Sequence, residues 1–199
     1  TGRDTSRQRE RNNDGMKKRR LDEVLLESGK AKDKTEAFII VTEGRVTIDG
    51  QKAVTPAQVV SPNGVVQVRE ALPYVGRGAY KLAAALSAFS VVVAGKICAD
   101  VGAATGGFTQ VLLERGAAKV YAIDTARGKL AFKIRQDARV VVMEETDVRD
   151  LASLPEPVDL AVIDISLISL RDILPSVRRL IHAEGSVVAL FKPQYEVRD

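Results

Sequence analysis

The second half of the chain alternates between two hydrophobic periods, and this alternation restricts the fold more than any other feature of the sequence. Five short segments rich in β-branched residues are typical of strands: KICADV, KVYAID, RVVVME, VDLAVIDI and SVVALFKP. Helical spacing is found before the first of them, in KLAAALSAF, and between most of the others, in GGFTQVLLERG, GKLAFKIRQ and ISLRDILPSVRRLI. Strands that are joined by helices and buried on both faces form a parallel sheet. The pattern predicts an α/β domain over residues 80–199, with a mostly parallel sheet and helices on both faces.

A different pattern covers residues 16–70. Apolar residues between Leu21 and Leu25 share one helical face, and a second helix is predicted from about Lys34 to Thr42. RVTIDGQKA alternates like a strand and contains an Asp-Gly turn, which is a strong hairpin signal, and GVVQV is another short strand. These elements predict a small α+β domain. Pro73 and the glycines of VGRGAY predict a linker over residues 71–79.

Charge and composition exclude several classes of protein. The first 20 residues hold eight Lys/Arg against three Asp/Glu, whereas the whole chain has a net charge of +4. Residues 1–15 lack apolar periodicity and are expected to form a disordered basic tail, which suits a polyanionic partner and equally a simple solvated tail. No apolar run approaches the roughly 20 residues of a membrane-spanning helix, and no secretory signal is visible. Since Cys98 is the single cysteine, we expect a cytoplasmic protein without a membrane partner.

Acidic residues end three successive predicted strands around a glycine turn, and ligands bind at this edge of parallel sheets. The spacing of the glycines differs from the G-x-G-x-x-G of nicotinamide enzymes, and an acid before the turn disfavours a pyrophosphate. A cationic ligand such as S-adenosylmethionine fits better, with the second acid placed for its ribose diol and the third near its adenine. The candidate cofactor-binding residues are Asp100, Gly102, Ala103, Thr105, Gly106, Gly107, Asp124 and Asp147.

Asp164 and Lys192 end the fourth and fifth strands, and Lys81 lies shortly before the sheet. A lysine at the end of an apolar strand is unusual, because it must be partly buried or directed into a cleft. In a Lys-Asp-Lys cluster one ammonium favours deprotonation of the other, and the carboxylate orients both, so that a lysine amine can take a proton from a ribose hydroxyl. A structural pair of Asp164 with Lys192, with Lys81 on a solvated helix face, explains the spacing slightly better when spacing is considered alone.

These motifs occur together in one order: RLD, SGKAKDKTEAFIIVTEGRVTIDG, GRGAYKL, DVGAATGGFTQVLLERGA, VIDISLIS and FKPQYE. In this combination the chain resembles the TlyA family over about residues 18–196. These bacterial proteins are often labelled hemolysin A and are similar to FtsJ-type ribose methyltransferases of ribosomal RNA. The resemblance implies an N-terminal αL RNA-binding domain followed by a Rossmann-like methyltransferase domain. It also implies S-adenosylmethionine as the methyl donor and 2′-O-methylation of cytidines in small- and large-subunit ribosomal RNA.

The resemblance also assigns roles to individual residues. Lys81, Asp164 and Lys192 match three members of the family's Lys-Asp-Lys-Glu catalytic tetrad, with either lysine as the base, and the glycine turn with Asp124 matches the methyl-donor site. Phosphate contacts position RNA without reading its sequence. The basic residues that we expect against the backbone of ribosomal RNA, free or in ribosomal subunits, are Arg19, Arg20, Lys30, Lys32, Lys34, Arg45 and Arg77. No metal site is expected.

The chain departs from the family pattern in one respect. Glu196 belongs to the KPQYE motif and is not the tetrad glutamate, which is expected in a segment beyond Asp199. The sequence therefore suggests an incomplete methyltransferase domain with an exposed sheet edge. A non-catalytic ribosomal RNA-binding or assembly factor is consequently the main alternative. A pore-forming hemolysin fits less well because no spanning or strongly amphipathic helix is visible, and a nicotinamide-dependent oxidoreductase fits least.

Overall fold

The computed structural model describes residues 18–70 and 73–197. The chain divides into two compact units, residues 1–72 and residues 73–199. The predicted basic tail over residues 1–15 lies outside the described residues. Each unit is built around hydrophobic clusters of its own, as the change of pattern along the sequence predicts.

The first unit combines two helices with short antiparallel strands. Its elements are β1 Arg19–Arg20, α1 Leu21–Glu27, α2 Lys34–Thr42, β2 Val46–Ile48, β3 Gln51–Lys52, β4 Val59–Val60 and β5 Val66–Val68. β2 pairs with both β3 and β5, and β1 pairs with β4. Asp33 caps α2, since its Oδ1 accepts the backbone N–H of Glu36 at 2.8 Å. The Asp49-Gly50 turn has φ values of 51° and 81°, so the predicted hairpin is confirmed.

The second unit is an α/β domain with a parallel sheet. Its elements are α3 Gly78–Ala88, β6 Ile97–Val101, α4 Gly107–Glu114, β7 Lys119–Ile123, α5 Phe132–Arg135, β8 Val140–Met143, β9 Val158–Ile163, α6 Leu170–Leu180 and β10 Ile181–Ala189, with 3-10 helices at Val148–Asp150 and Pro193–Tyr195. The strand order is β10-β9-β6-β7-β8, and all neighbours are parallel. The predicted fold class is therefore confirmed.

Helices cover both faces of this sheet. Leu82 of α3 and Leu112 of α4 are buried in one cluster with alternate residues of the strands, such as Leu160. Ile173 and Val177 of α6 are buried in a second cluster with the intervening strand residues. Because successive side chains of a strand point to opposite faces, the two clusters lie on opposite sides of the sheet.

One local prediction is wrong. The helix expected over residues 128–136 is reduced to Phe132–Arg135, because Gly128 has a φ of 67° and Ala131 has an extended ψ of 141°. The linker over residues 71–79 stays a prediction, and α3 begins within it, at Gly78. The glycines of this segment approach neighbouring atoms closely and leave little room for a Cβ.

Candidate functional site

The turn between β6 and α4 has a backbone that only small residues tolerate. Gly102 and Gly106 have φ values of +88° and +91°, in the left-handed region. A Cβ on Gly102 would stand 2.6 Å from the carbonyl oxygen of Asp164, which follows β9. A Cβ on Gly106 would stand 2.8 Å from the side chain of Leu130. The turn is therefore held between the end of β9 on one side and the segment before α5 on the other.

The segment that leads into α3 packs directly on this turn. A Cβ on Gly76 would lie 2.7 Å from Oγ1 of Thr105, and a Cβ on Gly107 would lie 3.3 Å from the carbonyl oxygen of Gly76. A Cβ on Gly78 would lie 3.3 Å from Oδ2 of Asp164. Gly76 and Gly78, one just before α3 and one at its first position, allow this close approach. Their G-x-G spacing is the signal that could have indicated it.

Asp100 lies inside the sheet and is fully buried. Its Oδ2 accepts the hydroxyl of Thr109 at 2.6 Å, while its Oδ1 has no hydrogen-bond partner among the described residues. Burial, with smaller contributions from the charges of Asp164 and Asp124, raises the pKa of Asp100 to about 7. Asp100 therefore ties α4 to β6, and its contact with a bound cofactor stays a prediction.

The two acids predicted at the next strand ends have different surroundings. Asp124 accepts the backbone N–H of Ala104 at 2.8 Å and that of Ala126 at 2.7 Å, one on each carboxylate oxygen. It thus fastens the glycine turn to the end of β7. Asp147 instead pairs with the guanidinium of Arg149 and caps the following 3-10 helix. The hydrogen bond from Arg149 lowers the pKa of Asp147.

Asp164 and Lys192 meet at the carboxyl ends of β9 and β10. Nζ of Lys192 lies 2.6 Å from Oδ1 of Asp164, and it donates to the carbonyl oxygen of Ile165 at 2.7 Å and to Oγ of Ser166 at 2.9 Å. The ammonium therefore donates two hydrogen bonds and is held against the carboxylate by charge. The side chain of Asp164 is 22% exposed and that of Lys192 is 19% exposed, so the pair is partly accessible and does not lie in the core. Sequence reasoning missed Ser166, although its hydroxyl follows Asp164 within VIDIS.

Lys81 lies on the first turn of α3, three residues after Gly78, and it is exposed. Residues three apart lie on the same side of a helix, so Lys81 is one turn along from the glycine beside Asp164. Among the described residues, no ion pair holds its ammonium. The structure therefore joins two of the three predicted catalytic residues and places the third nearby without a direct contact.

The predicted RNA-contacting residues divide into two groups. Arg19, Arg20 and Arg45 form ion pairs with acids of their own unit, and Nζ of Lys30 donates to a backbone carbonyl at 2.6 Å. Lys32 and Lys34, around the start of α2, are exposed, as is Arg77 before α3 in the second unit. Lys32, Lys34 and Arg77 are therefore the stronger candidates for contacts with phosphate groups.

Two other kinds of site are absent from the described residues. No helix in residues 18–70 or 73–197 has the length and apolar character needed to cross a membrane. The same residues contain no group of three or more His, Cys, Asp or Glu placed to hold a metal ion.

Comparison with known proteins identifies both units. The FtsJ-like methyltransferase family matches residues 74–199, and the S4 domain matches residues 19–66. The "16S/23S rRNA (cytidine-2'-O)-methyltransferase TlyA" of Mycobacterium tuberculosis is 44% identical over 182 residues, which cover 89% of this chain and 68% of the relative. "Hemolysin A" of Brachyspira hyodysenteriae is 36% identical over 180 residues, which cover 89% of this chain and 75% of the relative. The solved structure of a "putative hemolysin" from Streptococcus thermophilus aligns with a TM-score of 0.62 at 36% identity, over 92% of this chain and 69% of that one.

Proposed function

The chain belongs to the FtsJ-like methyltransferase family, and from this premise we propose that it transfers a methyl group from S-adenosylmethionine to the ribose 2′-hydroxyl of a cytidine in ribosomal RNA. The observation that carries the proposal is the ion pair of Asp164 with Lys192 beside a glycine turn. The Mycobacterium tuberculosis relative is named for this activity, and its similarity extends over both units. The proposed substrate implies action in the cytoplasm.

The residues around the turn fit S-adenosylmethionine as the cofactor. When bound, it supplies an electrophilic methyl group on a positively charged sulfur. The absence of side chains at Gly102, Gly106 and Gly107 lets Asp164, Leu130 and Gly76 pack against the turn, which brings the acids of the neighbouring strand ends close to it. Each oxygen of Asp124 accepts one backbone N–H, and a carboxylate oxygen keeps a further lone pair for a ribose diol. The negative charges of Asp124 and Asp164 suit a cation. Asp147 is a weaker candidate for the adenine, since Arg149 already occupies its carboxylate.

Methylation of a ribose hydroxyl requires removal of the hydroxyl proton, and the cluster around Asp164 supplies two amines for this step. Lys192, whose ammonium is paired with Asp164 and hydrogen-bonded to Ile165 and Ser166, can act once it has released a proton. Lys81 can act by reaching across from α3, where it is exposed. In either case the proton ends on a lysine nitrogen, and the carboxylate of Asp164 stabilises the ammonium that forms.

The first unit supplies a surface for the RNA backbone. S4 domain residues Lys32 and Lys34 lie at the N-terminus of α2 and are exposed. Arg77 lies next to the glycine that touches Asp164, where a phosphate near the reacting ribose would pass. Such contacts give affinity and register but no sequence specificity. The partner we propose is therefore ribosomal RNA, free or within a ribosomal subunit.

The test is transfer of labelled methyl groups from S-adenosylmethionine to unmodified ribosomal subunits and to deproteinised ribosomal RNA. We expect label on the ribose 2′-oxygen with the wild-type chain. Asp164→Ala and Lys192→Ala should each lower kcat on the order of 10²-fold or more. Lys133→Ala is the matched control, because Lys133 is an exposed lysine of the same unit on α5, and its kcat should equal that of the wild type.

Two outcomes would contradict the proposal. RNA binding without methyl transfer by the wild-type chain would favour the non-catalytic ribosomal RNA-binding factor. Methyl transfer that survives in Asp164→Ala would show that the chemistry occurs elsewhere. The relative kcat values of Lys81→Ala and Lys192→Ala identify the base, since loss of the base lowers kcat more than loss of a residue that only orients it.

A further inference from the structure

The segments that follow β9 and β10 are fastened to each other at two points. At the first point the ammonium of Lys192 forms an ion pair with Asp164 and donates hydrogen bonds to Ile165 and Ser166. At the second point the carboxylate of Glu196 accepts the backbone N–H of Leu170 at 2.8 Å and the hydroxyl of Ser169 at 2.6 Å. Only the first point belongs to the site described above. The second point joins Glu196, which is four residues after Lys192 in the chain, to the start of α6.

The contact of Glu196 with α6 is built to persist. Ser169 is the N-cap of this 11-residue helix, where unpaired backbone N–H groups and the helix dipole favour an anion. The hydrogen bond from Leu170, followed by that from Ser169, lowers the pKa of Glu196. The carboxylate is therefore ionised at neutral pH. Ser169 is itself buried, so the hydroxyl that donates to Glu196 is well positioned.

Little else holds the residues that follow Lys192. They form a single 3-10 turn, Pro193–Tyr195, with no buried side chain. Within the turn the N–H of Tyr195 donates to the carbonyl of Lys192, and that of Glu196 donates to the carbonyl of Pro193. The backbone of Lys192 is thus connected through one 3-10 turn to Glu196, whose carboxylate is bound at the start of α6. Phe191, on the other side of Lys192, is 62% exposed and adds little packing.

We propose that Glu196 is a positioning residue, which holds the Lys192 ammonium against Asp164 by anchoring the turn after Lys192 to the N-terminus of α6. The inference rests on the proposed function for its kinetic consequence, but not for the anchoring itself. Glu196 is not a catalytic residue, because its carboxylate contacts the N-terminus of α6 and not the Lys192–Asp164 pair. It acts on the reaction only through Lys192.

Two measurements on the whole chain test this role. The first is kcat and KM for methyl transfer by Glu196→Ala, Glu196→Gln and the wild type. A displacement of about 1 Å at a reacting group costs on the order of 10²-fold in rate, so we expect kcat of Glu196→Ala to fall by about 10- to 100-fold with both KM values unchanged. Glu196→Gln keeps an acceptor for the N–H of Leu170 and should recover part of that loss. Glu184→Ala removes an exposed carboxylate from β10 and is the control.

The second measurement does not need activity. Acetylation of lysines by an N-hydroxysuccinimide ester, read by mass spectrometry, should label Lys192 slowly in the wild type and at a rate approaching that of exposed Lys81 in Glu196→Ala. Unchanged protection of Lys192, or an unchanged kcat beside an active wild type, would overturn the inference. If the wild type itself transfers no methyl group, the proposed function fails, and the acetylation result still decides the anchoring. Should Glu196→Ala not fold, Ser169→Ala, which removes one of the two donors, takes its place in both measurements.

Discussion

Replacement of Gly102 by alanine tests whether the turn after β6 depends on close approach of the chain. Gly102 has a φ of +88°, a conformation that costs an L-residue roughly 1–2 kcal/mol. The new Cβ would also stand 2.6 Å from the carbonyl oxygen of Asp164 and 3.0 Å from its carbonyl carbon. These are backbone atoms, so the end of β9 must move, at a cost of about 1–3 kcal/mol for overpacking. Together these costs predict that Gly102→Ala lowers the free energy of unfolding by about 2–5 kcal/mol.

Gly95→Ala is the matched control for this change. Gly95 lies in the same unit with a φ of +75°, but a Cβ built there meets nothing within 4 Å. Its substitution therefore carries the conformational cost, about 1–2 kcal/mol, without the collision. The difference between the two variants isolates the contact of the turn with Asp164, and we expect it to be about 1–3 kcal/mol.

Urea unfolding followed by far-UV circular dichroism measures the two free energies, and hydrogen exchange of the β6 amides assigns the transition to the second unit. The same variants separate stability from binding in calorimetric titration with S-adenosylmethionine. Gly102→Ala should lose the affinity, because Asp164 and the turn move apart, whereas Gly95→Ala should keep it. Equal loss of stability in the two variants would refute the reasoning, since it would mean that the 2.6 Å approach carries no energetic consequence.

Three further predictions concern single groups. Burial raises the pKa of Asp100 from 3.8 to about 7, so the folded chain binds this proton more tightly than the unfolded chain. The free energy of unfolding should therefore be highest below about pH 4 and should decline as pH rises through about 7. Asp100→Asn should abolish that decline in urea unfolding. Asp124→Ala leaves the N–H groups of Ala104 and Ala126 without their acceptor and should cost about 1–3 kcal/mol, with weaker binding of S-adenosylmethionine in calorimetry. Lys32→Glu with Lys34→Glu should reduce the salt dependence of ribosomal RNA binding, since each lost phosphate contact lowers the slope of log K against log salt by roughly 0.7–0.9.

The architecture of the second unit was predictable because it follows from the spacing of apolar residues in the sequence. Strands from KICADV to SVVALFKP are apolar at nearly every position, and only a sheet covered on both faces buries such strands. The Asp49-Gly50 hairpin was predictable for a similar reason, since both residues must adopt positive φ. The short α5 was not predictable, because GKLAFKIRQ has helical spacing, but Leu130 is buried against the glycine turn in a non-helical segment. Tertiary packing there overrides the local pattern.

The candidate site was predictable in its residue types but not in its contacts. The ends of β9 and β10 are adjacent in any parallel sheet with this order, so proximity of Asp164 and Lys192 follows from the topology. The partners that complete the site are one hydroxyl, on Ser166, and one backbone carbonyl, on Ile165. A carbonyl is present at every residue and leaves no mark in the sequence. Arg20 of the first unit already forms an ion pair with Asp22. Such pairs depend on side-chain geometry and likewise cannot be predicted from the sequence.

The position of β6 in the sheet explains why the two halves of the proposed reaction lie on opposite sides of one turn. β6 is the central strand and pairs with β7 on one side and β9 on the other. The turn that follows it is therefore reached from β7 by Asp124, which accepts the N–H of Ala104, and from β9 by Asp164, whose backbone touches Gly102. The chain changes direction across the sheet at this strand, which is where open α/β sheets bind ligands. In the proposed reaction the methyl donor lies on the β7 side of the turn, near Asp124, and the acceptor hydroxyl lies on the β9 side, near Asp164. Gly102 is required because the end of β9 approaches its backbone.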